Sequence, residues 1–249
     1  MATIDAGERR AHLLRLLERD GAVRLEEASG ELGVSSMTVR RDLADLELEG
    51  LVRRVRGGAV PVDRPRTFGE RLAERGAAKQ AIAAKALDLV PSAGAVAVDA
   101  SSTAGALLAA LPRTPGLLVA TNAAQNLAAA RSGPGGTSVL VGGELEEATD
   151  SYVGPFACQM AQRLNYSVFF LSASGVTEAG TTEPTLREAQ VKEAFAAVAD
   201  RTVLLTDSSK LGRRSTVASL ALDAVDLLIT ELEPDDARLD PYRGLVELR

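Results

Sequence analysis

The 249-residue chain carries a formal net charge of −6, a single cysteine (Cys158) and a single histidine (His12). One cysteine excludes a disulfide framework and a cysteine-built metal site, and one histidine on a leucine-rich helix is a structural residue rather than a catalytic one. No apolar run reaches membrane-spanning length and the first residues lack a signal-peptide core, so a cytoplasmic chain is expected, with two domains and no membrane partner.

Residues 8–20 place Leu13, Leu14, Leu16 and Leu17 at helical spacing, and Gly21 closes them. Leu25–Leu32 reads as a second, short helix in spite of Gly30, which costs roughly 1 kcal/mol against alanine. A third helix starts at Ser35 or Ser36, either of which can cap it by accepting backbone N–H bonds. Val39, Leu43, Leu46 and Leu48 form its inward stripe, and Gly50 ends it. Thr38, Arg40 and Arg41 fall off that stripe, close to the positive end of the helix. Residues 51–62 read as a hairpin in which Gly57 and Gly58 allow the turn and Arg53, Arg54 and Arg56 carry the charge.

Helix, helix, turn, helix and basic hairpin is the order of a winged helix-turn-helix, which puts one helix into the DNA major groove and a wing beside it. Ser35, Ser36, Thr38, Arg40, Arg41, Arg53, Arg54 and Arg56 are the candidate DNA contacts. The alternative is a helical interaction module whose arginines merely solvate a face. The net negative charge is no obstacle, because phosphate contact depends on local potential. So few arginines per subunit point to a homo-oligomer on double-stranded DNA.

Residues 61–76 hold prolines, a glycine and several arginines and read as a linker ending in a short helix. A helix follows at 79–90. Beyond it, β-branched runs at 95–98, 117–120, 138–141, 168–171, 203–206, 227–230 and 245–248 alternate with helices at 103–111, 123–131, 155–164 and 186–199. That alternation implies right-handed crossovers and a mostly parallel α/β sheet. Small and polar residues follow almost every strand, where the carboxyl edge of such a sheet binds ligands. Ser101, Ser102 and Thr103 lead into a helix and could cradle an anion. Lys192 and Lys210 could add positive charge, while Asp99, Asn122 and Glu188 could bond sugar hydroxyls. Each loop alone reads as a cap or a turn; five converging on one edge suggest a phosphorylated sugar.

The stretch VSSMTVRRDLADLELEGLVRRVRGGA, from Val34 to Ala59, resembles the N-terminal signature of DeoR-type transcriptional regulators, departing from it upstream at Ala28, Ser29 and Gly30. The second half is similar to that family's sensor domain, which itself resembles ribose-5-phosphate isomerase. The resemblance implies an effector pocket built from Lys79, Asp99, Ser101, Ser102, Thr103, Thr121, Asn122, Gly142, Gly143, Gly175, Lys192, Asp207 and Lys210, with Gly180, Thr181 and Thr182 alongside, and Glu188 joins it from the residue pattern. It departs at Ser101–Thr103, where the family has glycine-threonine-threonine, and at Ser174, where the family has a carboxylate. The implied organisation is a DNA-binding domain (1–60), a linker (61–76) and a sugar-phosphate sensor (77–249), with no cofactor and no metal. The implied function is a repressor of a carbohydrate operon modulated by a phosphorylated sugar. Two alternatives stand beside it. One is a sugar-phosphate isomerase, weakened by the absence of histidine from the second domain and by Ser174; the other is a DNA binder whose second domain serves only to oligomerise.

Overall fold

Asp5 starts the first helix by accepting from the Gly7 amide at 3.1 Å, and α1 (Ala6–Asp20) ends where Gly21 turns left-handed at φ 71°. The computed structural model describes residues 5–61, 67–133 and 136–249, in two compact units, Met1–Arg64 and Pro65–Arg249. In the first unit α1 is followed by β1 (Val23–Arg24), α2 (Leu25–Leu32), α3 (Ser36–Leu48), β2 (Val52–Val55) and β3 (Gly58–Pro61). Leu13, Leu16, Leu17, Ala28, Leu32, Val39, Leu43 and Leu46 close one core against Val52 and Ala59 of the wing.

Three details differ from the sequence reading. Leu48, assigned to the inward stripe, is 88% exposed, because two residues past Leu46 and five past Leu43 it falls on the far side of the helix. The hairpin turn falls at Arg56-Gly57 rather than Gly57-Gly58, since Val55 pairs with Gly58. Gly58 is glycine for another reason: a Cβ there would lie 1.8 Å from the Val23 carbonyl of β1, a third strand that pairs with β3. Val62, the expected end of the hairpin, lies outside the described residues. Gly30 is exposed within α2 and a Cβ there would meet nothing within 4 Å. Gly30→Ala should therefore raise the stability of the first unit by about 0.5–1 kcal/mol, read as a higher urea midpoint.

The second unit begins with α4 (Phe68–Ala73), whose cap Thr67 exchanges reciprocal bonds with Glu70, and α5 (Gly76–Ala86). Then come β4 (Ala93–Val98), α6 (Ser102–Ala110), β5 (Gly116–Thr121), α7 (Ala124–Ser132), β6 (Thr137–Leu140), β7 (Glu144–Glu146), β8 (Ser151–Val153) and α8 (Pro155–Ala161). The chain continues through β9 (Val168–Leu171), β10 (Gly175–Thr177), β11 (Gly180–Glu183), α9 (Leu186–Ala196), β12 (Thr202–Leu205), β13 (Val217–Ala218), β14 (Leu227–Ile229) and β15 (Glu247–Leu248). Seven strands form one parallel sheet in the order β15-β14-β12-β9-β4-β5-β6.

Alternate strand residues feed two cores. Val96, Val98, Phe170 and Leu205 pack with α5 and α6, while Ala97, Phe169, Leu171 and Leu204 pack with α8 and α9. From β4 the sheet grows one way through β5 and β6 and the other way through β9, β12, β14 and β15. The carboxyl ends of β4 and β9 are thus neighbours at the point where the strand order reverses, the position at which open α/β sheets leave a crevice. The β7–β8 hairpin and the antiparallel sheet β10-β11-β13 were not expected; their strands are only two to four residues long. Among the described residues no helix is long and apolar enough to cross a membrane.

Candidate functional site

In the first unit, Ser35 caps α3, its Oγ accepting from the Thr38 amide at 3.2 Å and lying 3.0 Å from Thr38 Oγ1. Ser36, Arg40 and Arg41 are exposed on this helix, as are Arg53 and Arg56 on the wing, and among the described residues none of the four arginines has an ion-pair partner. Arg54 differs: its amide donates to Glu47 Oε1 at 2.8 Å and its Nε to Glu47 Oε2 at 2.6 Å, which ties the wing to α3. Those two bonds also hold the Glu47 carboxyl below its usual range.

A groove of about 290 Å³ runs between helix and wing, lined by Leu25, Arg40, Leu43, Arg54, Arg56 and Gly57 among others. Two residues passed over in the sequence matter here. Asp42 is buried under α3 and receives Arg9 Nε at 2.8 Å and Nη2 at 3.1 Å, which fixes α1 against the reading helix. Met37 is 69% exposed one turn before Arg40 and Arg41, an apolar group on an otherwise polar face.

In the second unit the reversal point holds a buried ionic centre. Asp99, at the end of β4, accepts from the Ser101 amide through Oδ1 and from the Ser172 amide, at the end of β9, through Oδ2, both at 3.0 Å. Lys192 reaches in from α9 to Asp99 Oδ2 at 3.0 Å, Glu183 Oε1 at 2.8 Å and the Ser172 carbonyl at 2.5 Å. Burial disfavours the Lys192 charge, but Glu183, Asp99 and Glu188 outweigh it and hold its proton more tightly than usual. Burial pushes the Glu183 carboxyl upward against the pull of Lys192. Glu188 accepts from Ser151 at 3.3 Å, and Ser151 lies 2.9 Å from Thr149. Asn126, not foreseen, is fully buried and donates to the carbonyls of Asp99 at 2.7 Å and Ser101 at 3.1 Å, fixing the loop that enters α6.

The other expected residues fall into groups. Ser101 Oγ caps α6 by accepting from the Ala104 amide, which leaves the Ser102 and Thr103 amides without an acceptor among the described residues. Asn122 donates to the Tyr152 carbonyl at 3.0 Å, and Thr121 accepts weakly from Ala123. Asp207 accepts from Ser209 and pairs with Arg75 Nε at 3.0 Å; Lys210 lies 3.9 Å from it and donates to Ser172 Oγ at 3.0 Å. Burial opposes the Asp207 charge, but Lys210, Ser209 and Arg75 together keep its carboxyl low.

Gly143 and Gly175 sit apart from this network. A Cβ on Gly143 would lie 2.5 Å from the Val153 carbonyl, and one on Gly175 would lie 2.3 Å from the Arg213 carbonyl. Their glycines thus meet a demand of backbone packing, whereas Gly142 opens on free space. Gly180, Thr181 and Thr182 are likewise spent on strand packing around Leu220 and Ser215.

Lys79 is buried on α5, and its Nζ donates to the Arg71 carbonyl. Burial and repulsion from Lys210 push this ammonium down to about 8, against the pull of Asp207 and Glu74. A folded-state value below the ordinary 10.5 makes its contribution complete above that pH and lost as pH falls through about 8. Lys79→Met should flatten the stability profile between those two values, measured as the melting temperature across the window. An unchanged slope would remove Lys79 as its source.

Residues 9–64 match the DeoR-like helix-turn-helix domain and residues 74–232 match the DeoR C terminal sensor domain. The HTH-type transcriptional regulator GlpR of Haloferax volcanii is 35% identical over 228 residues, covering 90% of this chain and 89% of that protein. The lactose phosphotransferase system repressor of Streptococcus mutans is 28% identical over 247 residues, covering 96% of this chain and 98% of that one. Ribose 5-phosphate isomerase A from Methanocaldococcus jannaschii is similar over 53% of this chain and 52% of its own, at 16% identity and a TM-score of 0.38, a likeness that says nothing about activity. With both of its domains matched in order across most of the sequence, the chain belongs to the DeoR family of transcriptional regulators.

Proposed function

We propose that this regulator represses a carbohydrate-use operon as a cytoplasmic homo-oligomer, and that a phosphorylated sugar bound at the reversal point of the sensor sheet modulates its hold on operator DNA. The observation that carries the effector part is a set of buried polar atoms left without partners: Thr103 Oγ1, Asn122 Oδ1, Asn126 Oδ1 and Thr206 Oγ1, all just beyond the carboxyl ends of β4, β5 and β12. Buried polar groups are satisfied in folded proteins, so a concentration of orphans at one sheet edge supports that edge as the seat of a polar ligand. The name of the Streptococcus mutans relative, a repressor of a sugar phosphotransferase system, agrees with that ligand class.

The DNA part rests on the four unpaired arginines beside the groove of α3. One winged unit reads one half-site, and a second copy supplies the other. Enzymatic turnover is disfavoured because Asp99 and Glu183 are already committed to Lys192, which leaves no free carboxylate pair for proton transfer there. A melting-temperature screen of the full chain against phosphorylated and unphosphorylated sugars tests the reading, since a ligand that binds only the native state must stabilise it. Stabilisation by one sugar phosphate, with altered retention of operator DNA, is expected. Operator binding indifferent to every stabilising sugar phosphate would leave the sensor as an oligomerisation scaffold.

A further inference from the structure

Helix α4 lies in what the sequence presents as a linker, yet it is fastened across the carboxyl edge of the sensor sheet. The Phe68 amide donates to Asp150 Oδ2 at 2.9 Å, Arg71 Nη2 to the Thr149 carbonyl at 2.7 Å, and Arg75 reaches Asp207, Ser208 and Glu231 at 2.9–3.1 Å. The two non-glycine residues at positive φ among those described are Arg75 (51°) and Asp150 (53°), each one an anchor of this helix. Strain of that kind persists where surrounding contacts hold it, and it collects at ligand clamps and switches.

Arg71 is the odd member. Arg75 is matched by two carboxylates, whereas no carboxylate lies within ion-pair distance of Arg71 or Lys79 among the described residues. Arg71 Nε is buried with no acceptor among the described residues. Lys79 Nζ has the Arg71 carbonyl as its one hydrogen-bond partner among the described residues, and Arg71, Lys79 and Lys210 lie close enough to repel one another, with Asp207, Glu74 and Glu183 as the facing carboxylates. Asp207 is shared between Arg75 and Lys210, and Arg71 and Lys79 have no carboxylate within ion-pair distance among the described residues. A guanidinium with one buried donor open, whose other contacts are a carbonyl and the Phe68 ring, fits an anion with several acceptor oxygens and about two negative charges, which is a phosphoryl group.

We propose that Arg71, with Lys79 and Lys210, binds the phosphoryl group of the effector, making α4 a part of the ligand site. This rests on the sugar-phosphate reading and adds to it a residue outside the expected pocket. A phosphoryl oxygen that recruits the Arg71 guanidinium competes with the Thr149 carbonyl, so ligand occupancy acts on the segment that directly follows the DNA-binding unit in sequence.

The test uses the full chain and inorganic phosphate, at constant ionic strength held with chloride. Phosphate should raise the melting temperature of the wild type, and Arg71→Gln should weaken phosphate binding by about tenfold or more. Arg71→Lys, which keeps the charge without the fork, should lie between the two and serves if Arg71→Gln folds poorly. Equal phosphate affinity in the wild type and both variants, or no phosphate binding by the wild type, overturns the proposal. The sugar-phosphate reading fails in a different way: phosphate binds through Arg71, yet no phosphorylated pentose or hexose binds more tightly than phosphate alone.

Discussion

Lys192→Met is expected to destabilise the sensor unit by about 3–5 kcal/mol, the cost of leaving buried charges without their partner. Lys192 stands between Asp99 and Glu183, which are 1% and 3% exposed, and no other cation lies within ion-pair distance of either among the described residues. Removing the ammonium strands two carboxylates and also empties the acceptor sites at the Ser172 carbonyl. The loss should appear as a lower urea midpoint with an unchanged slope. Adding Glu183→Gln to Lys192→Met should restore part of it, because Glu183 then carries no charge to strand, while Asp99 keeps the Ser101 and Ser172 amides that its two oxygens accept. A single variant as stable as the wild type would mean that water or rearrangement already solvates this centre.

Arg40→Ala and Arg41→Ala are each expected to weaken operator binding by about 1–3 kcal/mol, roughly a 5- to 150-fold loss, if the helix reads base edges. Both side chains are exposed without ion partners among the described residues, so their removal leaves the fold of the first unit intact. An arginine that reads a base loses specificity at one position; an arginine on phosphate weakens all sequences alike and lowers the salt slope. Arg54→Ala should behave otherwise. It removes the tie to Glu47 and loosens the wing, so its effect on binding should come with a measurable fall in stability. Retention of full operator affinity by both Arg40→Ala and Arg41→Ala would move the reading face away from α3.

The helices and the seven parallel strands were legible because each carries a long periodic or β-branched run with a chemical stop, such as Gly21 after α1 or Ser35 before α3. The strand order was not. Nothing local in Asp99 or Ser172 reveals that β4 and β9 are neighbours, and that adjacency is what gathers Asp99, Ser172 and Lys192 into one centre. Lys192 itself looks like an ordinary helical lysine. The one local hint is its company: Ala189, Val191, Ala194 and Phe195 are all buried apolar neighbours on α9. Gly143 and Gly175 are glycines for a reason visible only in three dimensions, since a Cβ at either would press on a nearby carbonyl. Arg71 escaped notice because a stretch flanked by prolines and arginines reads as linker, while its anchors at Thr149 and Asp150 come from a hairpin turn with no periodicity of its own.

The fastening of α4 also sets an order of events during synthesis. Every core contact of the first unit closes within its own short sequence, from Leu13 to Ala59. The partners of α4 and of Arg75, which follows it, lie 78 to 156 residues further along the chain. At typical elongation rates the ribosome needs roughly 10 s or more to deliver the last of them, and N-terminal domains fold as they emerge. A nascent chain therefore holds a finished DNA-reading unit before any apparatus exists to govern it. On the proposed sensor reading, each newly made molecule passes through an ungoverned youth, whose length is set by translation rather than by metabolite supply.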